Sequence, residues 1–305
     1  MLLEGILITI VGAATPILLA AIGELVVERS GVLNLGVEGM MIMGAVVAFG
    51  VSLTTGNPYL GAIAGGLAGV GMALLFGLFT VYLASNQVAT GLALTLLGLG
   101  LAGLIGENFV GTPGVKLEAI TIPLLSSIPF IGPALFDRDI IVYLSFAIVA
   151  GVSYMLFKTR AGLVLRATGE NADAAHALGR DVRLIRLAAV SFGGFCAGLG
   201  GAYLSLVLTA QWTEGMSAGR GWIALAIVVF ATWLPWRAVA GAYLFGGVII
   251  LQLHAQAFGI RVPPQAMTML PYLATIIALV ILSRNQALMR RNTPAALGRA
   301  FVPDR

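Results

Sequence analysis

Long apolar runs alternate with short polar breaks along almost the whole chain, and the spacing of the breaks sets the predicted elements. Runs near 5–23, 34–53, 59–84, 87–106, 140–157, 187–209, 221–235, 238–258 and 267–283 approach the length of about 20 apolar residues that a helix needs to cross a hydrocarbon layer. They predict an all-α, polytopic transmembrane helical bundle of about nine spans, within a range of eight to ten. The run at 221–235 is short, and that at 87–106 is flecked with Gly and Thr. The apolar stretch 120–136 holds Pro123, Pro129 and Pro133, and each proline removes a helical hydrogen bond, so an external loop or re-entrant segment is expected there. The chain is read as one transmembrane domain, 1–305.

Composition excludes a water-soluble domain. The chain is 59% hydrophobic and 10% charged, with mean hydropathy +1.00, whereas soluble domains carry about 25% charged residues. Gly61, Gly65 and Gly69, like Gly194 and Gly198, form small-xxx-small steps that let helices approach closely in lipid. The first run has no basic n-region and no cleavage site after it, so it is read as a retained helix. A single cysteine, Cys196, rules out an intrachain disulfide and, in its apolar run, reads as a small packing residue.

The net charge of +4 argues for no nucleic-acid partner, and the placement of the basic residues carries the information instead. In a nine-span arrangement, thirteen Lys and Arg fall on one side: six in the segment 158–186, five in the tail from Arg284, and Arg29 and Arg237 in short turns. Lys116, Arg138, Arg220 and Arg261 fall on the other. By the positive-inside bias the N-terminus is outside and the C-terminus inside.

Two polar stretches interrupt the apolar pattern. Residues 28–39 place Glu28, Arg29, Asn34 and Glu38 at the mouth of a span, and charge at such a position is costly enough to suggest a function. Glu38 reads either as part of an inner-face gate or as an interfacial carboxylate that pairs with Arg29 or caps a helix start, and Glu28 and Asn34 share that ambiguity. Residues 158–186 form the one long cytoplasmic segment, and within it 168–179 reads as a single short helix begun at Thr168 or Gly169 and ended at Gly179. That helix is too short to fold alone. It either docks on a partner or serves as a solvated connector. Gln87, Thr90 and Thr95 read as substrate-pathway residues or as interhelical hydrogen-bond donors. Trp212 and Trp222 flank the outer boundary, as anchors or as stacking platforms, and Trp233 and Trp236 read as inner belt residues.

No catalytic constellation or metal-ligand spacing is present. Neither lysine follows a glycine, so no P-loop can form, and two distant His residues with one Cys offer no zinc site. The scarcity of Asp, Glu and His within the spans argues against a proton-coupled carrier working alone. A weak internal echo pairs Gly36-Val37-Glu38-Gly39 with Gly219-Arg220-Gly221-Trp222, each opening an apolar helix, one expected at the inner face and one at the outer face, as an inverted repeat would give.

Three blocks carry a family resemblance. The run from Glu28 through Gly39 to Met40-Met41 resembles the signature of bacterial ABC importer permeases of the branched-chain amino acid, simple sugar and nucleoside superfamily. Arg166-Ala167-Thr168-Gly169-Glu170-Asn171, with Ala174-Ala175 and Leu178-Gly179, resembles their coupling region, and Gly219-Arg220-Gly221-Trp222 through Trp233 and Pro235 resembles a third block. The likeness is greatest to the shorter permease of nucleoside (BMP-type) uptake systems. It implies a type II ABC importer-like fold in a bacterial inner membrane, translocating nucleosides by alternating access. Simple sugars or branched-chain amino acids are the alternative substrates, and a stand-alone secondary carrier the alternative mechanism. It also implies a cytoplasmic ATPase that holds ATP and Mg, a second and different permease chain, and a substrate-binding protein, with no cofactor in this chain. On this resemblance Gly169, Glu170, Asn171, Asp173, Ala174, Ala175 and Leu178 would couple to the ATPase, and Gln87, Thr90, Thr95 and Trp222 would lie along the pathway.

Overall fold

The computed structural model describes residues 2–121, 131–257, 292–302 and seven positions between 269 and 280. Helix α1 (Leu2–Arg29) is the axis of the bundle, and every residue from 11 to 30 is buried. A helix that is apolar all round can satisfy itself only by being surrounded. Helix α2 (Val37–Thr55) is nearly as enclosed, and α3 (Pro58–Gly77) follows it, ending in a π-helical turn, Leu78–Tyr82. After α4 (Gln87–Gly106) the chain runs extended to β1 (Ile120–Thr121), which pairs antiparallel with β2 (Asp137–Arg138) beyond the short α5 (Ile131–Phe136).

Helices α6 (Ile140–Lys158), α7 (Arg160–Glu170), α8 (Ala172–Ala177), α9 (Val182–Tyr203, with a π-helical turn Leu204–Leu208), α10 (Arg220–Phe230) and α11 (Pro235–Ala257) complete the described fold. Side chains local to each start set many of these boundaries. Asn57, Asn86, Asp139, Thr159, Asn171 and Asp181 each accept from backbone N–H groups of the helix they precede, satisfying donors that the helix itself leaves orphaned.

The centre is α1, α2 and α9. Helix α3 lies across α2 and α9, α4 lies on α2, and α6, α10 and α11 surround α1. The small-residue steps are the contact between α3 and α9. A Cβ at Gly69 would run into the Gly194 carbonyl, and one at Gly198 into the Gly65 carbonyl. Backbones this close gain dispersion along their whole length, the main attraction available between apolar helices in lipid.

Among the described residues seven helices are long and apolar enough to cross a membrane, with α10 a shorter apolar helix beside them. The nine expected runs map onto these with three corrections. First, α1 continues six residues past Gly23, so Glu28 and Arg29 belong to its last turn and not to a loop. Second, 221–235 is an 11-residue helix, about 16 Å long, which is half of a hydrocarbon core. Third, the helix expected over 168–179 is two helices: Thr168 and Gly169 end α7, and Asn171 breaks from it to cap α8. The run at 267–283 and the prolines Pro123 and Pro129 lie largely or wholly outside the described residues, as does Arg261.

Candidate functional site

The site grows from the last two turns of α1. Beyond Arg29 the chain turns at Gly31, where φ is +89°, a conformation that suits glycine. It then doubles back along α1 instead of leaving the bundle. Asn34 donates its backbone N–H to the Glu24 carboxylate at 3.1 Å and its side-chain amide at 3.4 Å. Glu24 lies five residues before the helix end, about 7.5 Å along the axis, so residues 30–36 re-enter the bundle. Such backbone is tolerated at membrane depth only where protein satisfies it, and α4 supplies the partners. Gln87 Oε1 accepts from Leu33 N–H at 2.8 Å, and Thr95 Oγ1 donates to the Leu35 carbonyl at 3.0 Å. Thr90 instead pairs with Ser85 at 2.9 Å.

At the top of the re-entrant strip α2 begins, and Glu38 in its first turn is 4% exposed. Its carboxylate accepts from the backbone N–H of Gly219 at 2.8 Å and of Gly221 at 2.6 Å. One carboxylate thus caps α10 while standing in the first turn of α2, and both helix dipoles favour negative charge there. A Cβ on Gly221 would stand 2.6 Å from Glu38 Cα, so glycine is required for the approach. The two echoing blocks therefore meet at one point. The expectation that one opens at each face is overturned, because Glu38 holds the backbone N–H groups of both Gly219 and Gly221, so the two helices start side by side.

The far end of α10 returns to α1. Trp233 donates its indole N–H to Glu28 at 2.6 Å, and Arg29 donates to the Trp233 carbonyl through Nη2 at 3.0 Å and Nε at 3.3 Å. Trp233 is buried, as is Trp212, which fills the slot left by Gly106. Neither is the boundary anchor expected of it, whereas Trp236 is 59% exposed. Both ends of α10 carry backbone in the left-handed region: Ala218 (φ +49°) and Gly219 (+78°) before it, Thr232 (+49°) and Trp233 (+54°) after it. For β-branched Thr232 that is genuine strain, held by the Glu28 and Arg29 contacts. Trp222, in the first turn, is half-buried against the core.

Below Arg29 lies the candidate coupling segment. The end of α7 crosses the end of α1 so closely that a Cβ on Gly169 would run into the Arg29 carbonyl. Ala172 and Ala175 of α8 face inward, while Asn171, Asp173 and Ala174 are exposed and Leu178 is 82% exposed. The inward face is covered by the C-terminal segment 292–302, a strap that no sequence pattern announced. Ala296 N–H donates to the Gly169 carbonyl at 2.9 Å, Gly298 N–H to the Gly31 carbonyl at 3.1 Å, and Ala295 N–H to Glu170 at 3.4 Å. Phe301 packs with Ala172, Ala175 and Val182, its ring edge-on to His176. Buried Arg186 ties the strap in, donating to the Arg299 carbonyl at 3.0 Å and to the Ser30 carbonyl at 3.3 Å.

Arg29, 158–186 and the strap thus meet at one end of the bundle, as their shared charge suggested. Lys116, Arg138 and Arg220 gather around a separate cavity of about 510 Å³ that also reaches Ile8 and Thr9, near the start of α1.

A family profile described as branched-chain amino acid transport system / permease component matches residues 6–280. The glucose ABC transporter permease assignment TsgC13 of Haloferax volcanii is 39% identical over 319 residues, covering 97% of each chain. The nucleoside ABC transporter permease NupC of Lactococcus lactis is 33% identical over 88% of this chain and 89% of its own length. The guanosine ABC transporter permease NupQ of Bacillus subtilis is 32% identical over 87% and 88%. No solved structure matches.

Proposed function

The chain belongs to the family of branched-chain amino acid transport system permease components, and from that premise we propose that it carries a solute built on a sugar ring, a nucleoside or a simple sugar, through a cytoplasmic membrane at the expense of ATP. It is a multi-pass membrane permease and not itself catalytic. ATP and Mg belong to a partner ATPase. A second permease chain of different sequence and a substrate-binding protein complete the assembly in this reading. The relatives named for glucose, nucleosides and guanosine share a polyhydroxylated ring as common chemistry.

One observation carries the mechanism: a continuous series of packing contacts, close backbone approaches and hydrogen bonds runs from the exposed helix α8 to both ends of the half-length helix α10. The ATPase docks on Asp173, Ala174 and Leu178, which face water at the cytoplasmic end. Its closure moves α7, which bears on α1 through Gly169 and on the strap through Ala296. The end of α1 holds Trp233, and Glu38 holds Gly219 and Gly221. Helix α10, bounded on both sides by left-handed residues, tilts between these attachments and alternately opens and closes the inner pathway. Gln87, Thr95 and Trp222 border that moving region, and the first two hold the re-entrant strip against which α10 works.

Leu178→Glu with Ala174→Arg tests this reading. Both side chains are exposed, so insertion should be unchanged. In membrane vesicles carrying the whole assembly, uptake of labelled guanosine or glucose should fall by roughly ten-fold, the cost of about 1.4 kcal/mol at a docking contact. Unchanged uptake would remove α8 from the ATPase interface. The solute that competes for uptake, guanosine or glucose, identifies the substrate class.

A further inference from the structure

A second site lies at the same end of the bundle, bordered by the first residue of the strap, Asn292. A cavity of about 590 Å³ opens between the end of α1, one side of α7 from Leu163 to its last residue Glu170, and the start of α11. Among the described residues three arginines line it, Arg29, Arg166 and Arg237, against a single carboxylate, Glu170. Among the described residues none of the three arginines has an ion pair. Arg29 is 6% exposed and spends two of its donors on the Trp233 carbonyl. Arg237 is exposed and gives one to Thr232 at 2.9 Å. Arg166 stacks its guanidinium over the Phe157 ring at 5.3 Å, and its buried Nε has no hydrogen-bond partner. Glu170 is itself engaged by the Ala295 N–H. Three guanidinium groups converging with one carboxylate leave an excess of positive charge in a partly dry space, and such an arrangement calls for an anion.

The rim indicates where that anion comes from. Phe157 and Leu163, which line the cavity, are 40% and 59% exposed, and Trp236, beside Arg237 in the chain, is 59% exposed. Apolar side chains flanking an arginine cluster at the ends of two spanning helices mark the headgroup depth of a bilayer, with acyl chains alongside and phosphate at the arginines. We infer that this cavity binds the phosphate group of an anionic phospholipid, with Arg166 and Arg237 as its principal ligands and Arg29 at its floor. The bound phosphate bridges α1, α7 and α11. It joins the helix that leads into the coupling segment to the helix that follows α10, and it couples the mobility of that end to the charge of the surrounding lipid.

The inference requires only that this end lies at a membrane surface, so its test is independent of any ATPase. The purified full chain in neutral detergent is titrated with dioleoyl-phosphatidylglycerol, with dioleoyl-phosphatidylcholine, and with inorganic phosphate, and bound lipid is counted by native mass spectrometry. Wild-type protein should retain one phosphatidylglycerol that Arg166→Gln/Arg237→Gln binds roughly 30-fold more weakly, from a factor of about five for each arginine removed. The Arg166→Lys/Arg237→Lys chain should recover most of that binding, since ammonium also binds phosphate. Should the double variant fail to fold, Arg237→Gln alone, altering an exposed side chain, should still lose about five-fold. Competition by inorganic phosphate would support a phosphate site whose source is free anion, and its absence a lipid headgroup. Equal retention of phosphatidylglycerol by wild type and variants, or equal retention of the choline lipid, would overturn the proposal and leave the cluster as a contact for an acidic protein surface.

Discussion

Glu38 shows how one side chain can join two helices that sequence places about 180 residues apart. Its two oxygens each satisfy one backbone donor of α10, and its 4% exposure leaves no water to take its place. Replacing it with Ala orphans both donors, and each buried unsatisfied group costs about 1–3 kcal/mol. Glu38→Ala should therefore lower stability by roughly 3 kcal/mol and drop the melting temperature of the purified chain by several degrees. Glu38→Gln keeps one acceptor oxygen but turns an amide N–H₂ toward the other donor, so it should lose about half as much. Equal melting temperatures for all three proteins would show that α10 is held by its packing and not by this cap. That Glu38 matters could be anticipated from charge at a span mouth. That its partners are Gly219 and Gly221 could not, because the link is a tertiary contact between two irregular segments.

At the scale of elements, apolar length and turn residues predicted the regular helices well. The boundaries of α4 and α6 fall where Asn86 and Asp139 cap them and where the apolar runs stop. The failures share one cause. Hydropathy does not distinguish helix from irregular backbone that is buried in protein, and residues 32–36 and 231–234 are apolar or small enough to pass as helix. So 34–53 was expected to begin three residues early, and 221–235 was expected to cross. Trp212 reads from sequence as a boundary anchor or a stacking platform and Trp233 as a belt residue, because interfaces are the average place of tryptophan in membranes, whereas here an open slot at Gly106 and a carboxylate at Glu28 bury them. The glycine pattern, by contrast, transferred directly into packing. Gly69→Leu should drive α3 away from α9, because the added side chain meets the Gly194 carbonyl and cannot be absorbed by a flexible neighbour. Overpacking of this kind costs about 1–3 kcal/mol or more, so folded yield and unfolding midpoint should both fall. Gly71→Leu on the same helix, where nothing lies within 4 Å, should leave both unchanged.

For the molecule as a whole, the strap is the element that makes one body of the proposed coupling region. Helix α8 has six residues, below the length at which a helix holds itself together in water, and among the described residues its buried Ala172 and Ala175 share an apolar cluster with Phe301 and Val182. Phe301 in turn is positioned by a strap that Arg186, Gly169 and Gly31 hold through main-chain carbonyls and N–H groups. Phe301→Ala should therefore release α8 locally while the spanning helices, buried by other contacts, stay intact. Hydrogen exchange at residues 172–177 should accelerate by roughly ten-fold or more, a loss of about 1.4 kcal/mol or more of local protection, with amides of α1 and α9 unaffected. If α8 docks the ATPase as proposed, the same change in the assembled transporter should lower the solute moved per ATP hydrolysed more than it lowers hydrolysis, because a loosened α8 would still meet its partner but no longer transmit the full motion to α1. Phe301→Trp, which keeps an aromatic face toward Ala172 and Ala175, should restore both readouts. If exchange at 172–177 is the same with Ala and with Phe at 301, the strap is a passive cover and α8 draws its order from α7 and α9 alone.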